Sequence, residues 1–151
     1  MLLNEIQILH VLSHSNILKL HEVYESKHHI YMVTDILKGG TLKDFLTTHP
    51  NLKEETIKKI MKMILEILFY LQTSKVIHRD IKLENFLFAD NSFEKIVLTD
   101  FGLSHLKNTK EFFFEKCGTP GYVAPEIFRT GSPLQHDKID IFGAGVIFYA
   151  L

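Results

Sequence analysis

The chain has 151 residues, a one-domain length, with 46% hydrophobic and 23% charged residues, as expected of a globular chain that buries a core. Its formal net charge of -1 gives no reason to expect a nucleic-acid or polyanion partner. The single cysteine, Cys117, rules out an internal disulfide and fits a reducing, cytoplasmic compartment. No apolar run reaches the ~20 residues of a membrane span, and Asn4 and Glu5 interrupt any secretory-signal core.

In chain order, Leu2, Ile6, Leu9 and Leu12 recur at helical spacing, so residues 1–12 are expected to form a helix, broken by Ser13-His14-Ser15-Asn16. Two β-type runs follow, Ile17 to Tyr24 and His29 to Asp35. Gly39-Gly40 is a turn signal, and Thr41 can cap a short helix through Leu46. From Lys53 to Thr73 the residues Ile57, Ile60, Ile64, Ile67, Leu68 and Leu71 make one apolar stripe, with lysines opposite. Asn51 followed by Glu54 resembles a capping box for that helix. Val76 to Phe88 mixes apolar and charged residues without a period, and Ile96 to Thr99 reads as a short buried strand. Residues 103–123 read as a long loop, a kind of segment that is usually functional or disordered. A last apolar helix begins near Lys138, and much of its surface is expected to face water.

Three strings carry chemistry: His78-Arg79-Asp80-Ile81-Lys82-Leu83-Glu84-Asn85, then Asp100-Phe101-Gly102, then Gly118-Thr119-Pro120-Gly121-Tyr122-Val123-Ala124-Pro125-Glu126. Each alone is a weak signal, and a single loop aspartate is more often a surface turn acid. Together, in this order and with these gaps, they resemble the signature of the protein kinase superfamily. Phosphoryl transfer asks for positioning and for neutralisation of phosphate charge, which hard oxygen ligands, a lysine and a proton acceptor can supply. The resemblance implies ATP and Mg²⁺ as cofactors, with Asn85 and Asp100 as metal ligands. It implies that Asp80 orients a substrate hydroxyl and accepts its proton, and that Lys82 neutralises the transferring phosphate. Lys82 and the surroundings of Thr119 resemble serine/threonine-specific members, so the expected partner is a protein substrate with serine or threonine.

Further positions follow from the same resemblance. Glu5 matches a helix glutamate that pairs with a strand lysine, and Asp140 an acid that bonds the backbone of the catalytic loop. Leu9, Leu20, His78 and Phe101 match a hydrophobic column through the active core, followed by Gly102. Thr34 matches the gatekeeper; Asp35 and Leu37 would offer backbone groups to adenine, and Leu42 and Leu87 would form the pocket floor. The nearest subgroup resemblance is to calcium/calmodulin-dependent and calcium-dependent kinases. Glu84 is placed there to recognise basic residues flanking the target serine, although Thr41 stands where a second acid is common, and an exposed loop acid would look the same. Arg79 is the arginine that usually pairs with an activation-loop phosphate. Glu115 lies at the matching place, which predicts a loop ordered without phosphorylation of, for instance, Thr109. Glu126 is expected to be a partly buried carboxylate.

The expected fold class is α+β and kinase-like but partial. Residues 1–35 are a small-lobe remnant of one helix and two strands, 36–40 a hinge, and 41–151 an incomplete, mainly helical large lobe. No G-x-G-x-x-G run occurs in the sequence and no strand lysine precedes Glu5, so weak activity, or a noncatalytic binding or scaffold role, competes with full kinase function. A small threonine gatekeeper predicts that Thr34→Met weakens bulky nucleotide-site inhibitors; equal binding by calorimetry would contradict this.

Overall fold

A computed structural model describes residues 2–107, 116–128 and 137–151. The first helix, α1 (Leu2–Val11), turns Ile8 and Leu9 into the core. The antiparallel pair β1 (Leu20–Glu25) and β2 (Ile30–Thr34) follows, with Tyr24 opposite Tyr31. β1 starts later than the apolar run at Ile17 predicts. Residues 16–18 are instead drawn across a later strand: the Leu18 N–H donates to the Leu98 carbonyl (3.0 Å), and the Leu98 N–H to the Asn16 carbonyl (2.9 Å).

Helix α2 (Leu42–Thr48) begins as the sequence suggests. The Thr41 hydroxyl accepts from the Asp44 N–H (3.0 Å), and the Asp44 carboxylate accepts from the Thr41 N–H (3.2 Å). This reciprocal cap satisfies two otherwise orphaned donors. The long helix α3 (Glu54–Thr73) buries Ile60, Ile64, Ile67, Leu68 and Leu71 of the predicted stripe, while Ile57, near its N-terminus, is only half-buried. The Asn51–Glu54 box does not form. Glu54 is already the first helical residue, and Lys53, which has no side-chain cap, precedes it. The Lys53 carbonyl instead accepts from the Thr56 and Ile57 N–H groups.

The unperiodic stretch after α3 resolves into very short pieces. β3 (Val76–Ile77) pairs with β6 (His105–Leu106), and β4 (Phe86–Phe88) with β5 (Ile96–Leu98). The predicted loop 103–123 therefore opens with a strand, which its two residues were too few to announce. Turns of 3₁₀ helix cover Leu83–Asn85 and Pro125–Phe128, and α4 (Lys138–Ala150) ends the fold. One core cluster joins α1, α2, α3, the β4–β5 pair and α4; a smaller one links Ile77, Ala124, Ile127 and Ile139. Helix α4 is two-sided as expected: Ile147 is fully buried, while Phe148 is 60% and Tyr149 94% exposed. Among the described residues, no helix is long and apolar enough to cross a membrane.

Two glycines of α4 have opposite surroundings. A Cβ at Gly143 would lie 2.8 Å from the Ile81 carbonyl oxygen, whereas one at Gly145 would meet nothing within 4 Å. Glycine inside a helix costs roughly 0.5–1 kcal/mol relative to alanine, and overpacking against fixed backbone costs about 1–3 kcal/mol. Urea unfolding should therefore show Gly145→Ala more stable than the parent and Gly143→Ala less stable.

Candidate active site

The loop after β3 is held from below by α4. The Asp140 carboxylate accepts from the His78 N–H (2.7 Å) and the Arg79 N–H (2.8 Å), and it is buried. Burial pushes its carboxyl up, and the two donors, with nearby His78 and Arg79, work against that. The clamp fixes an unusual backbone, since Arg79 has φ +71°. Such a conformation is uncommon for a residue with a side chain and persists where its surroundings impose it.

His78 is fully buried, with its ring edge on Phe101 at 4.9 Å between centroids. Its Nδ1 accepts from the Asp80 N–H (3.2 Å), so the proton resides on Nε2, which donates to the Thr99 carbonyl (3.1 Å). Burial lowers the pKa of His78, in keeping with this neutral tautomer. Leu9 and Phe101 belong to one core cluster, against which Leu20 packs.

Asp80 stands at the centre. Its Oδ2 accepts from Lys82 Nζ (2.6 Å) and Asn85 Nδ2 (3.1 Å), and its Oδ1 from the Thr119 hydroxyl (2.6 Å). Lys82 Nζ also donates to Thr119 (2.9 Å). Burial opposes the charge on Asp80, but Lys82, Thr119 and Asn85 outweigh it and hold the carboxyl below its ordinary range. Asn85 spends both amide protons on Asp80, the second on the backbone carbonyl (2.8 Å), so its Oδ1 is the atom left to face a cation.

Asp100 is brought beside Asn85 by the β4–β5 ladder. The N–H and hydroxyl of Thr99 both donate to the Asn85 carbonyl, at 2.9 and 3.1 Å. Asp100 is exposed and also has a left-handed backbone, φ +61°. The following Phe101 N–H donates to Glu5 Oε1 (3.3 Å), and Asn4 Nδ2 reaches the Gly102 and Ser104 carbonyls at 3.3 and 2.8 Å. Glu5 thus sits on the 100–102 turn. Burial, and then the charge of Asp100, raise its carboxyl above the ordinary range.

At the other end of the cleft, the half-buried Thr34 donates to the Asp35 carbonyl (3.2 Å), and the Asp35 N–H is taken by Lys19 (3.2 Å). Of the two residues expected to face adenine, Asp35 therefore has only its carbonyl to offer, whereas Leu37 makes no backbone hydrogen bond among the described residues. Leu87 is partly exposed and bridges to Thr41. Leu42 does not line a floor: it is 0% exposed, packed into the core by α2, and presents no surface to a ligand. Glu126 is half-buried on its 3₁₀ turn, as expected. Arg79 is buried and engaged, near Cys117 and His105. Glu115 and Thr109 lie outside the described residues.

Sequence reasoning missed Asn4 and Lys43. Lys43 Nζ pairs with Glu84 Oε1 at 2.7 Å across 41 positions, a separation no local pattern announces. Asn4 had a weak signal, being the neighbour of Glu5 on a helix whose glutamate was already assigned to the site.

The sequence matches the protein kinase domain family over residues 1–151. The chain belongs to the protein kinase family. It is 39% identical over 150 residues to a probable myosin light chain kinase of Dictyostelium discoideum, covering 97% of this chain and 48% of that protein. It is 36% identical over 149 residues to the calcium/calmodulin-dependent protein kinase type 1 of Macrobrachium nipponense, covering 98% and 42%. It is 37% identical over 147 residues to the serine/threonine-protein kinase SIK1 of Rattus norvegicus, covering 97% and 19%. This kinase chain thus spans less than half the length of each of these relatives.

The donor set suits Mg²⁺. No group of three or more His, Cys, Asp or Glu is poised for a metal among the described residues. Mg²⁺ is commonly held by one or two protein ligands, with water and phosphate oxygens completing the shell. Asn85 Oδ1 and the Asp100 carboxylate are hard oxygen donors of that kind and number.

The sign of the Asp80 shift makes a prediction. A carboxyl held low contributes stability above its unfolded value of 3.8, and that contribution is lost as pH falls through the folded value. Lys82→Met should raise the Asp80 pKa in a carboxyl NMR titration, and so shrink the part of the stability that this group loses as pH falls below 3.8. Asp100→Asn should lower the Glu5 pKa in the same experiment.

Proposed function

We propose that this chain carries the phosphoryl-transfer site of a serine/threonine protein kinase. The observation that carries the proposal is the Asp80 carboxylate, held between Lys82, Asn85 and Thr119 and adjoining the Asp100 turn. Asp80 receives the substrate hydroxyl and its proton as that oxygen bonds to the γ-phosphorus and the bond from the γ-phosphorus to the β–γ bridging oxygen breaks, releasing ADP. Thr119 now occupies Asp80 Oδ1, so the incoming hydroxyl takes over that hydrogen bond. The Lys82 ammonium, 2.6 Å from Asp80, lies where it can also neutralise the equatorial oxygens of the phosphoryl group in flight. Asn85 Oδ1 and Asp100 are the groups that would hold Mg²⁺. When bound, Mg²⁺ offsets phosphate charge and orients the triphosphate.

Leu37 and the Asp35 carbonyl take the adenine edge in this reading, with Thr34 behind them and Leu87 beneath. Residues 1–35 form the small-lobe part, 36–40 the hinge and 41–151 the large-lobe part. The hydrogen bonds from Lys38 and Gly39 to Ala89 and Phe88 support a boundary there. Serine and threonine substrates are supported by Lys82 and by the likeness to the serine/threonine-protein kinase SIK1.

Incubation with ATP, Mg²⁺ and a serine peptide should yield phosphopeptide. Asp80→Asn should lower the rate by about 10²–10⁴-fold, and Asp100→Ala should abolish Mg²⁺-dependent nucleotide binding. Binding of nucleotide or peptide without any transfer would instead support the noncatalytic module.

A further inference from the structure

Glu84 is the residue before Asn85 and two after Lys82, and its carboxylate lies within electrostatic reach of the Lys82 ammonium. Tyr122, three residues beyond Thr119, lies within electrostatic reach of Glu84: its hydroxyl is pushed up by burial and then by the charge of Glu84, with the Leu83 backbone, Lys43 and Lys82 acting against that. In the kinase reading, a peptide presenting a hydroxyl to Asp80 lies beside these groups. Glu84 is only half satisfied there. Its Oε1 takes Lys43 Nζ at 2.7 Å, while its Oε2 is buried without a hydrogen-bond partner.

Lys43 itself is 59% exposed at its side chain and reaches Glu84 from α2, so it is held by one contact at the end of a flexible stem. An ammonium is a point charge, whereas a guanidinium has a planar fork that binds both oxygens of a carboxylate. The Lys43–Glu84 pair is therefore a filled but imperfect cation site.

We infer that Lys43 is a specificity-determining residue: it is an internal cation seated on Glu84, in the place a basic substrate side chain would take. With Lys43 present the subsite has no net charge, and a substrate arginine gains only the difference between its own contact and the one it displaces. The kinase then accepts substrates without a basic flank. This inference rests on the kinase reading for the direction from which substrate enters. A purely structural pair, pinning α2 to the catalytic loop, would leave peptide preference untouched when broken.

The test measures, by fluorescence anisotropy, binding of a serine peptide with a flanking arginine and of its glutamine counterpart. The parent chain should bind the two about equally. Lys43→Met should prefer the arginine peptide by about fivefold, the scale of an exposed charge pair. Lys43→Arg should keep the parent's indifference, and Lys43→Met combined with Glu84→Gln should lose the preference. A parent that already prefers arginine, or a Lys43→Met chain that gains no preference, including one that binds neither peptide, overturns the inference. Failure of the kinase reading is read separately, as absence of Asp80-dependent transfer in the parent chain. A preference that appears on Lys43→Met without such transfer leaves the cation subsite standing and removes the enzyme.

Discussion

A single buried carboxylate sets the shape of the site. Asp140 reaches from α4 to two consecutive backbone N–H groups, those of His78 and Arg79, in a place closed to water. Unpaired, each of those donors would cost about 1–3 kcal/mol, and so would the acid without them. The arrangement is mutual, and it overrides the ordinary backbone preference of Arg79. Because the loop turns there, Asp80 emerges facing Lys82, Asn85 and Thr119 rather than solvent. Gly143, one helical turn beyond Asp140, completes the fit by letting α4 lie against the Ile81 backbone.

Charge is then distributed unevenly along the cleft. Around Asp80 it is balanced by an ammonium, a hydroxyl and an amide. Near Asp100 lies a second acid, Glu5, whose carboxyl is raised by burial and then by the charge of Asp100. An acid stabilised by its own neighbours is suited to hold and accept a proton, whereas clustered acids are suited to draw in a cation. The two regions differ in role although β4 and β5 set them side by side.

Much of this was legible in the sequence because the deciding interactions are either periodic or local. The apolar stripe of α3 and the Thr41 cap are both short-range patterns, and both form. The 78–85 loop was legible for a different reason: its order of residue types matches a signature of the family to which the chain belongs. What stayed hidden was non-local. Two-residue strands such as β3 and β6 exist only through each other, with no propensity of their own to reveal them. Asn51 carried a cap pattern, but α3 starts at Glu54, which leaves that side chain too far upstream to cap it. Leu42 was expected at a ligand surface and is instead consumed by the core, since one face of α2 must be buried somewhere.

The backbone bonding around residues 35–40 also dictates how the molecule can bend. The Asp35 N–H is tied to Lys19 on the hairpin side, while the Lys38 and Gly39 N–H groups are tied to Ala89 and Phe88 on the helical side. Only the peptide units around Ile36 and Leu37 are untethered, and Ile36 is 77% exposed. A second crossing lies where residues 16–18 meet Leu98. The bonds from Asn4 and Glu5 to the 101–104 backbone make a third link between the same two sides. Along residues 35–40, Ile36 and Leu37 are thus the place where the chain can change direction without giving up a backbone bond on either side.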